Sequence, residues 1–187
     1  FKPVKGGHRH TTELIEQVNH FNEGVFTDGS IMKHPGKPFV YGVACYPEKH
    51  EEAPNLEQDL RYLKEKQDLG ATFAVTQLFY DNDQARKMDI TIPIIPGIKP
   101  FAKLSQLNVV PKTFHCDIPE ELAGLALLCK SDEEARLLGI EWAVRQVKDL
   151  YAHGFNNVHF YTVSAVSSVH EVMKRIVESG LLQQNSK

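Results

Sequence analysis

The sequence of 187 residues contains few cysteines, a single tryptophan and no long apolar run. The cysteines, Cys45, Cys116 and Cys129, are odd in number and never stand in a CxxC pair. This pattern argues against a disulfide framework and against a structural zinc site. No stretch approaches the roughly 20 apolar residues that cross a bilayer. We therefore expect a protein of the reducing cytoplasm without a membrane-spanning helix.

Strong charge of one sign is also absent, because 21 basic residues stand against 24 acidic ones. A formal net charge of -3 gives no broad electrostatic reason to bind nucleic acid or an anionic membrane. The hydrophobic share of 42% is typical of one soluble globular domain with a substantial core. The chain opens with the polar stretch FKPVKGGHRH, without a starting Met or the apolar core of a signal peptide. We expect truncation or disorder at this end.

Apolar residues recur at helical spacing in several segments, each bounded by capping or turn-forming residues. Ser131 with Glu134, and Ser168 with Glu171, have the spacing of a capping box, and Pro119 suits the first turn of a helix. The pattern predicts helices that begin after Thr11, span residues 55–69, and begin after Pro119, at Ser131 and at Ser168.

Apolar runs with strand propensity lie between these helices. Strands that alternate with amphipathic helices predict right-handed βαβ units and a parallel sheet covered by helices, which is α/β architecture. The predicted strands are half the complement of a (β/α)8 barrel, so an intact barrel would need chain outside this sequence. A small doubly wound sheet is the alternative, although no GxGxxG fingerprint follows any run. The runs are 39–45, which we expect to be buried on both faces, 73–80, 90–95 and 158–163.

The connection between the second and third runs is short. A parallel crossover with a covering helix needs at least about 10 to 12 residues, whereas residues 81–89 alone are present here. The segment 84–88 looks like the end of a helix whose first turns are absent. We therefore expect that residues are missing from the chain between Asn82 and Ala85.

Functional groups of parallel α/β folds gather at the C-terminal ends of the strands. Residues 46–50, 76–80 and 159–162 bring aromatic and hydrogen-bonding side chains to three such ends. The amide of Gln77 both donates and accepts, which suits a pterin or a carboxamide, or simply neighbouring backbone. Lys99 could form a Schiff base, although an exposed loop lysine is the stronger expectation.

The helix predicted over 55–69 carries a polar stripe of Asp59, Tyr62 and Lys66. Lys66 could neutralise a diphosphate while Asp59 accepts hydrogen bonds from ribityl or ribose hydroxyls. The spacing alone favours a solvated edge with a weak ion pair. His8 and His10 have no third ligand at metal-like spacing, so we assign no metal.

Three stretches occur together in the order and spacing of one enzyme family: VACYPEKHEEAPNLEQDLRYLKEKQDLGATFAVTQLFYDN, IPIIPGIKP and VHFYT. By these stretches the sequence resembles the methylenetetrahydrofolate reductases, especially bacterial ones, over nearly its whole length. The resemblance implies that residues 1–187 are a partial single domain, the C-terminal portion of a flavin-binding (β/α)8 barrel. It also implies FAD as cofactor, NADH or NADPH as co-substrate, and a place in one-carbon metabolism and methionine biosynthesis.

The resemblance also implies site residues. Gln77 and Tyr161 match positions that bind the folate. The positions that match the FAD contacts of the family are His10, Thr11, Tyr46, His50, Glu51, Glu52, Ala53, Asp59 and Lys66.

The implied reaction is ping-pong, because the folate and the nicotinamide use the same face of the flavin in turn. Reduced FAD would pass hydride to the methylene carbon and give 5-methyltetrahydrofolate. The catalytic Glu of the family and its Arg-Gly-Asp flavin loop belong to the N-terminal half, so no catalytic residue is assigned here. The sequence departs from the family at His10, where a Tyr is common, and at Val163-Ser164-Ala165, where Leu-Asn-Arg is frequent and the Arg contacts folate.

Two alternatives stay open at this point. One is a flavin- or folate-binding scaffold without turnover, and the other is a Schiff-base aldolase barrel that uses Lys99. The expected partners are small-molecule folate and nicotinamide substrates, and the oligomeric state, including a homo-oligomer, is open.

Overall fold

A computed structural model describes residues 3–83, 90–163 and 165–181 of the chain. The described strands and helices alternate for most of the chain, as the sequence predicts. The strands are β1 (Gly42–Cys45), β2 (Phe73–Leu78), β3 (Ile94–Ile98) and β4 (His159–Phe160). The helices are α1 (Thr11–Asn22), α2 (Leu56–Asp68), α3 (Gln106–Phe114), α4 (Glu120–Leu128), α5 (Asp132–Ala152) and α6 (Val166–Glu178).

The strands form one parallel sheet in the order β1-β2-β3-β4. The chain therefore adds each new strand beside the previous one, as in consecutive βα units of a (β/α)8 barrel. All four strands end at the same edge of the sheet, and this edge is called the C-terminal rim below. The prediction of a parallel α/β sheet is confirmed. None of the described helices is long and apolar enough to cross a membrane.

The second strand contains an irregularity next to its C-terminal end. Val75 pairs with Ile95 but Leu78 pairs with Gly97, so β2 has one residue more than β3 between these pairs. The side chain of Thr76 compensates, because its Oγ1 accepts the N–H of Gly97 at 2.8 Å. Such a β-bulge changes the direction of the side chains that follow it. Gln77 lies in this bulge.

Successive residues after the bulge belong to different apolar clusters, as expected for side chains that point to opposite faces of a sheet. Phe79 packs with Ile98 and with residues of α5 and α6, among them Leu150 and Val172. Leu78 packs on the other face with residues of α3, α4 and α5, namely Val110, Leu122, Ala126, Ala135 and Trp142.

Helix α5 holds the C-terminal rim through contacts with the backbone. Trp142 Nε1 donates to the carbonyl of Tyr80 at 3.2 Å, and Gln146 Nε2 donates to the carbonyl of Phe79 at 3.2 Å. A Cβ atom at Gly139 would lie 1.7 Å from the carbonyl oxygen of Phe101. This close approach allows only glycine at position 139. The residues that follow β2 and β3 are therefore fixed by one helix.

Two strand predictions are wrong in detail. The run 39–45 is not buried on both faces: Phe39 is 63% exposed, and burial alternates along β1, because in the described chain helices cover only one of its faces. The third strand begins at Ile94 and not at residue 90. The side chain of Gln67 accepts the N–H groups of Thr91 and Ile92, so these residues satisfy their donors outside the sheet.

The ends of the chain's last elements also differ from the prediction. Helix α6 begins at Val166, with Ala165 and not Ser168 as its N-cap, because the N–H of Ser168 already donates to the carbonyl of Ala165. Helix α3 was not predicted from the sequence, since Pro111 lies inside it. The predicted helix end over 84–88 and the expected missing residues before Ala85 lie outside the described residues.

Candidate functional site at the C-terminal rim

The loop between β1 and α2 is shaped by Asp59. Its Oδ2 accepts the N–H of His50 at 2.8 Å, and the carbonyl of His50 accepts the N–H of Ala53 at 3.0 Å. Lys49 Nζ donates to the carbonyl of Ala53 at 2.7 Å and closes the same turn. The rings of Tyr46 and His50 meet edge to face with 4.5 Å between their centroids. The structure thus brings Tyr46, His50, Ala53 and Asp59 together.

Lys66 joins this group from the last turn of α2. Its Nζ lies 3.4 Å from the carbonyl oxygen of Ala44, on an exposed part of β1. Burial lowers the pKa of Lys66, and the negative charge of Asp59 opposes that shift. Lys64 lies on another face and forms an ion pair with Asp68. Lys66 therefore lies on the side of α2 that carries Asp59, and Lys64 does not. Tyr62, the third member of the predicted stripe, is 44% exposed.

Gln77 and Tyr161 lie at neighbouring positions of the rim. Tyr161 Oη donates to the carbonyl of Thr76 at 2.9 Å, and its ring stands edge to face with His159. Gln77 Oε1 accepts the N–H of Leu78 at 2.9 Å. This contact is the backbone interaction that we considered as the alternative to a binding role. Within the described residues, no bond engages the NH2 group of Gln77, so this donor can face a ligand.

A second loop from far along the chain covers the rim beside the β1–α2 loop. Glu48 Oε1 accepts the N–H of Asp117 at 3.1 Å, and the carboxylate of Glu51 lies 3.1 Å from His115 Nε2. Burial raises the pKa of Glu48 to about 7, with the negative charges of Asp117 and Asp81 acting in the same direction. Sequence reasoning did not select Glu48, although it stands inside the quoted motif YPEKH.

His10 and Thr11 stand apart from this arrangement in one respect. His10 is the N-cap of α1 and Thr11 is its first residue. The carboxylate of Glu13 accepts the N–H groups of Arg9 and His10, so the start of α1 is fixed by its own side chains. Ile15 of α1 packs in the cluster that also holds Cys45. Helix α1 therefore borders β1, but no contact in the described chain joins His10 or Thr11 to the rim.

The expectation that Lys99 is exposed is wrong. Only 2% of Lys99 is exposed, and its Nζ has no hydrogen-bond partner in the part of the chain that the structure describes. Residues 96–101 are all buried, so Lys99 lies in the middle of a buried segment that follows β3.

The chain is similar in sequence to known proteins. The sequence model of the family "Methylenetetrahydrofolate reductase" matches residues 2–177. The chain belongs to this family. It is 30% identical over 190 residues to methylenetetrahydrofolate reductase 1 of Schizosaccharomyces pombe. This alignment covers 97% of the present chain and 29% of the yeast protein. It is 35% identical over 149 residues to 5,10-methylenetetrahydrofolate reductase of Buchnera aphidicola subsp. Baizongia pistaciae. This second alignment covers 75% of the present chain and 50% of the bacterial protein.

A solved structure supports the fold. An uncharacterized protein from Clostridium thermocellum, described as binding two copies of 5-methyl-5,6,7,8-tetrahydrofolic acid, matches with a TM-score of 0.51 and 16% identity. The match covers 75% of this chain and 55% of that one. With the family membership, it identifies the parallel sheet as part of a (β/α)8 barrel. The chain spans at most half the length of the two relatives described above.

Proposed function

We propose that the complete protein reduces 5,10-methylenetetrahydrofolate to 5-methyltetrahydrofolate with NADH or NADPH through FAD. The observation that carries this proposal is the convergence of Tyr46, His50, Asp59 and Lys66 with Gln77 and Tyr161 on one rim of a family (β/α)8 sheet. The proposed domain is the C-terminal portion of that barrel.

The residues after β1 fit a flavin dinucleotide. Lys66 is a half-buried cation beside Asp59, and in the described chain it has no ion pair within 4.0 Å. Lys66 would contact the diphosphate, because a desolvated cation gains most from an anionic partner. Asp59 Oδ2 already accepts a backbone N–H, and its Oδ1 would accept from ribityl or ribose hydroxyls. The bound flavin would supply the hydride relay between nicotinamide and folate.

The turn at residues 50–53 would support this site through its backbone. Ala53 is only 5% exposed, so the turn packs against the rim. Glu51 and Glu52 are exposed, and we propose that their main chain, more than their carboxylates, borders the cofactor. A role for His10 and Thr11 in binding FAD stays a prediction.

The folate would lie against Gln77 and Tyr161. The free NH2 group of Gln77 would donate to an acceptor of the pterin, and the ring of Tyr161 is fixed by its bond to Thr76. Both residues would orient the substrate without taking or giving a proton. Positioning of this kind contributes to rate by holding the reacting atoms in a productive geometry.

The alternative functions make different demands. An aldolase would need an acid-base partner beside Lys99, and within the described chain no carboxylate is paired with it. Family membership favours the reductase over this alternative. A non-catalytic scaffold would bind the same ligands and differ only in turnover.

The test uses the full-length protein from its natural gene. We expect a yellow protein whose flavin absorbance is bleached by NADH or NADPH under anaerobic conditions and restored by methylenetetrahydrofolate. A colourless protein would contradict the flavin proposal. A yellow protein that is bleached but not reoxidised by the folate would be a flavin-binding protein without this activity.

A further inference from the structure

Among the described residues, three buried side-chain atoms have no hydrogen-bond partner: Gln146 Oε1 on α5 and two polar groups that follow strands at the C-terminal rim. The latter two are the ammonium group of Lys99, which follows β3, and the hydroxyl of Tyr80, which follows β2. Lys99 and Tyr80 are each 2% exposed. Buried polar atoms are paired in the great majority of cases, so an unpaired one calls for an explanation. An unpaired buried amine is the less common of the two, because lysine is almost never fully buried without a partner.

The sheet register puts Lys99 beside residues of the proposed folate site. Ile98 pairs with Phe160, and the carbonyl of Ile98 accepts the N–H of Tyr161 at 2.9 Å. Lys99 therefore follows β3 at the level where Tyr161 follows β4. On the other side, Lys99 lies two residues beyond Gly97, whose partner Leu78 lies two residues before Tyr80. Lys99 thus stands between Tyr80 and Tyr161 along the rim.

No protein group neutralises this lysine in the described chain. Burial alone lowers the pKa of Lys99, whereas the pKa of Lys66 is also affected by Asp59. The segment around Lys99 is held rigidly, because Phe101 contacts the backbone of α5 at Gly139. An amine with three donors, no acceptor and no partner in the described chain is suited to a ligand oxygen.

We propose that Lys99 donates a hydrogen bond to the oxo group of the folate's pterin ring, beside Tyr161. The inference rests on the proposed function and adds a substrate-binding residue to it. A lysine this deeply buried, between Tyr80 and Tyr161, would reach the flat ring of a bound folate and not its charged glutamate tail. Its flexible stem of four methylene groups allows Nζ to turn toward the bound ring.

The test compares Lys99→Met with Lys103→Met in the full-length protein. Methionine keeps the length of the lysine stem and removes the amine, and Lys103 is an exposed lysine of the same segment. The probes are 5-methyltetrahydrofolate and a tetrahydropterin that lacks the aminobenzoylglutamate tail. The measurements are the dissociation constants of both probes, the flavin content and the melting temperature.

We expect Lys99→Met to raise both dissociation constants roughly tenfold or more, as the loss of a charge-assisted bond predicts. Lys103→Met should leave both unchanged. Flavin content should equal that of the parent. The melting temperature should be unchanged or higher, because an unpaired buried amine is removed. A lysine with only a structural role would give the opposite result, a lower melting temperature and unchanged dissociation constants.

Other outcomes overturn the inference. Unchanged dissociation constants for both probes would exclude the contact between Lys99 and the pterin ring. Weaker binding of 5-methyltetrahydrofolate but not of the tetrahydropterin would mean that Lys99 contacts the tail. A lower flavin content would mean that Lys99 contacts the cofactor. If Lys99→Met has a lower melting temperature than the parent, Lys99→Gln replaces it in the same comparison. Glutamine keeps a hydrogen-bond donor but lacks the charge, so this variant must raise the dissociation constants of both probes. A parent that binds no folate would refute the proposed function itself, and this is seen before any substitution is made.

Discussion

Lys66 and Lys64 are two residues apart in α2 but have different surroundings. Lys66 lies beside Ala44 and Asp59, and Lys64 is paired with Asp68 on the surface. We expect Lys66→Ala to weaken FAD retention by about 1.5 to 3 kcal/mol, because it removes a charge-assisted contact with phosphate. Lys64→Ala is the matched control and should retain its flavin. The flavin-to-protein ratio after gel filtration measures the difference, and equal ratios would contradict the assigned site.

Gln77 lies in the β-bulge, and its only side-chain hydrogen bond to a described residue is the one that its Oε1 accepts. We expect Gln77→Ala to slow the folate half-reaction by about tenfold or more, while flavin content and flavin reduction by the nicotinamide stay as in the parent. Stopped-flow absorbance separates the two half-reactions. A parent-like rate of flavin reoxidation by methylenetetrahydrofolate, with an unchanged dissociation constant, would remove Gln77 from the site.

Glu48 gives the rim a pH-dependent stability. Its pKa rises from 4.5 to about 7 on folding, mainly through burial, so the folded protein keeps a proton that the unfolded chain releases between these values. The stabilisation is complete below about pH 4.5 and is lost as the pH rises through about 7. We expect Glu48→Gln to be more stable than the parent at pH 8 by about 1 to 2 kcal/mol, after allowance for solvent screening, and not at pH 4.5.

Urea unfolding at the two pH values measures this difference in the free energy of unfolding. Glu52→Gln is the control, because Glu52 is an exposed carboxylate of the same loop. A gain that is equal at both pH values would contradict the assignment to Glu48.

At the scale of elements, we expect replacement of glycine by alanine to have opposite effects on stability at two positions in the helices. A Cβ at Gly139 of α5 would meet the backbone of Phe101 at 1.7 Å, whereas a Cβ at Gly124 of α4 would meet nothing within 4 Å. We expect Gly139→Ala to destabilise the protein by about 2 to 4 kcal/mol, because the helix must move away from the rim. Gly124→Ala should stabilise it by about 0.5 to 1 kcal/mol through helix propensity. Thermal or denaturant unfolding of both variants is the measurement, and similar effects in the two would show that α5 adjusts freely.

The periodic apolar patterns in the sequence predicted those helices and strands that bury one apolar face of their own. Helix α5 follows Ser131 as the capping residues indicate, since Ser131 Oγ accepts the N–H of Glu134 at 3.2 Å. The start of β3 was not predictable from apolar content, because the side chain of Gln67, far away in sequence, holds residues 91 and 92 off the ladder. Local patterns do not contain such long-range bonds.

The part of the site that lies at the ends of the strands was predictable from the sequence. Tyr46, Gln77 and Tyr161 follow from the strands and from the family motifs. The partial burial of Glu48 and the full burial of Lys99 were not predicted, because they depend on Asp117 and on α5, which reach the rim from later in the chain. Burial of a polar side chain depends on tertiary packing and not on its neighbours in sequence.

At the scale of the whole molecule, residues 79–93 connect β2 to β3. Gln67 holds Thr91 and Ile92 outside the sheet, so a covering helix and both of its loops would have to fit into the remainder, which is close to the minimum for a parallel crossover. We expect the natural protein to contain further residues between Asn82 and Ala85. Mass spectrometry of a chymotryptic digest tests this. A peptide with the mass of residues 81–101, or of residues 81–88 after cleavage at Met88, without insertion would refute the expectation.

The contact between Glu48 and Asp117 joins residues 69 positions apart. During synthesis on a ribosome, the turn after β1 emerges long before the loop that covers it. The rim therefore cannot reach its final form while the chain ends before Asp117, and Glu48 stays hydrated and ionised until then. Contacts of such long sequence separation slow folding. Any ligand that needs this rim would be captured late, by a nascent chain already carrying most of the residues described here.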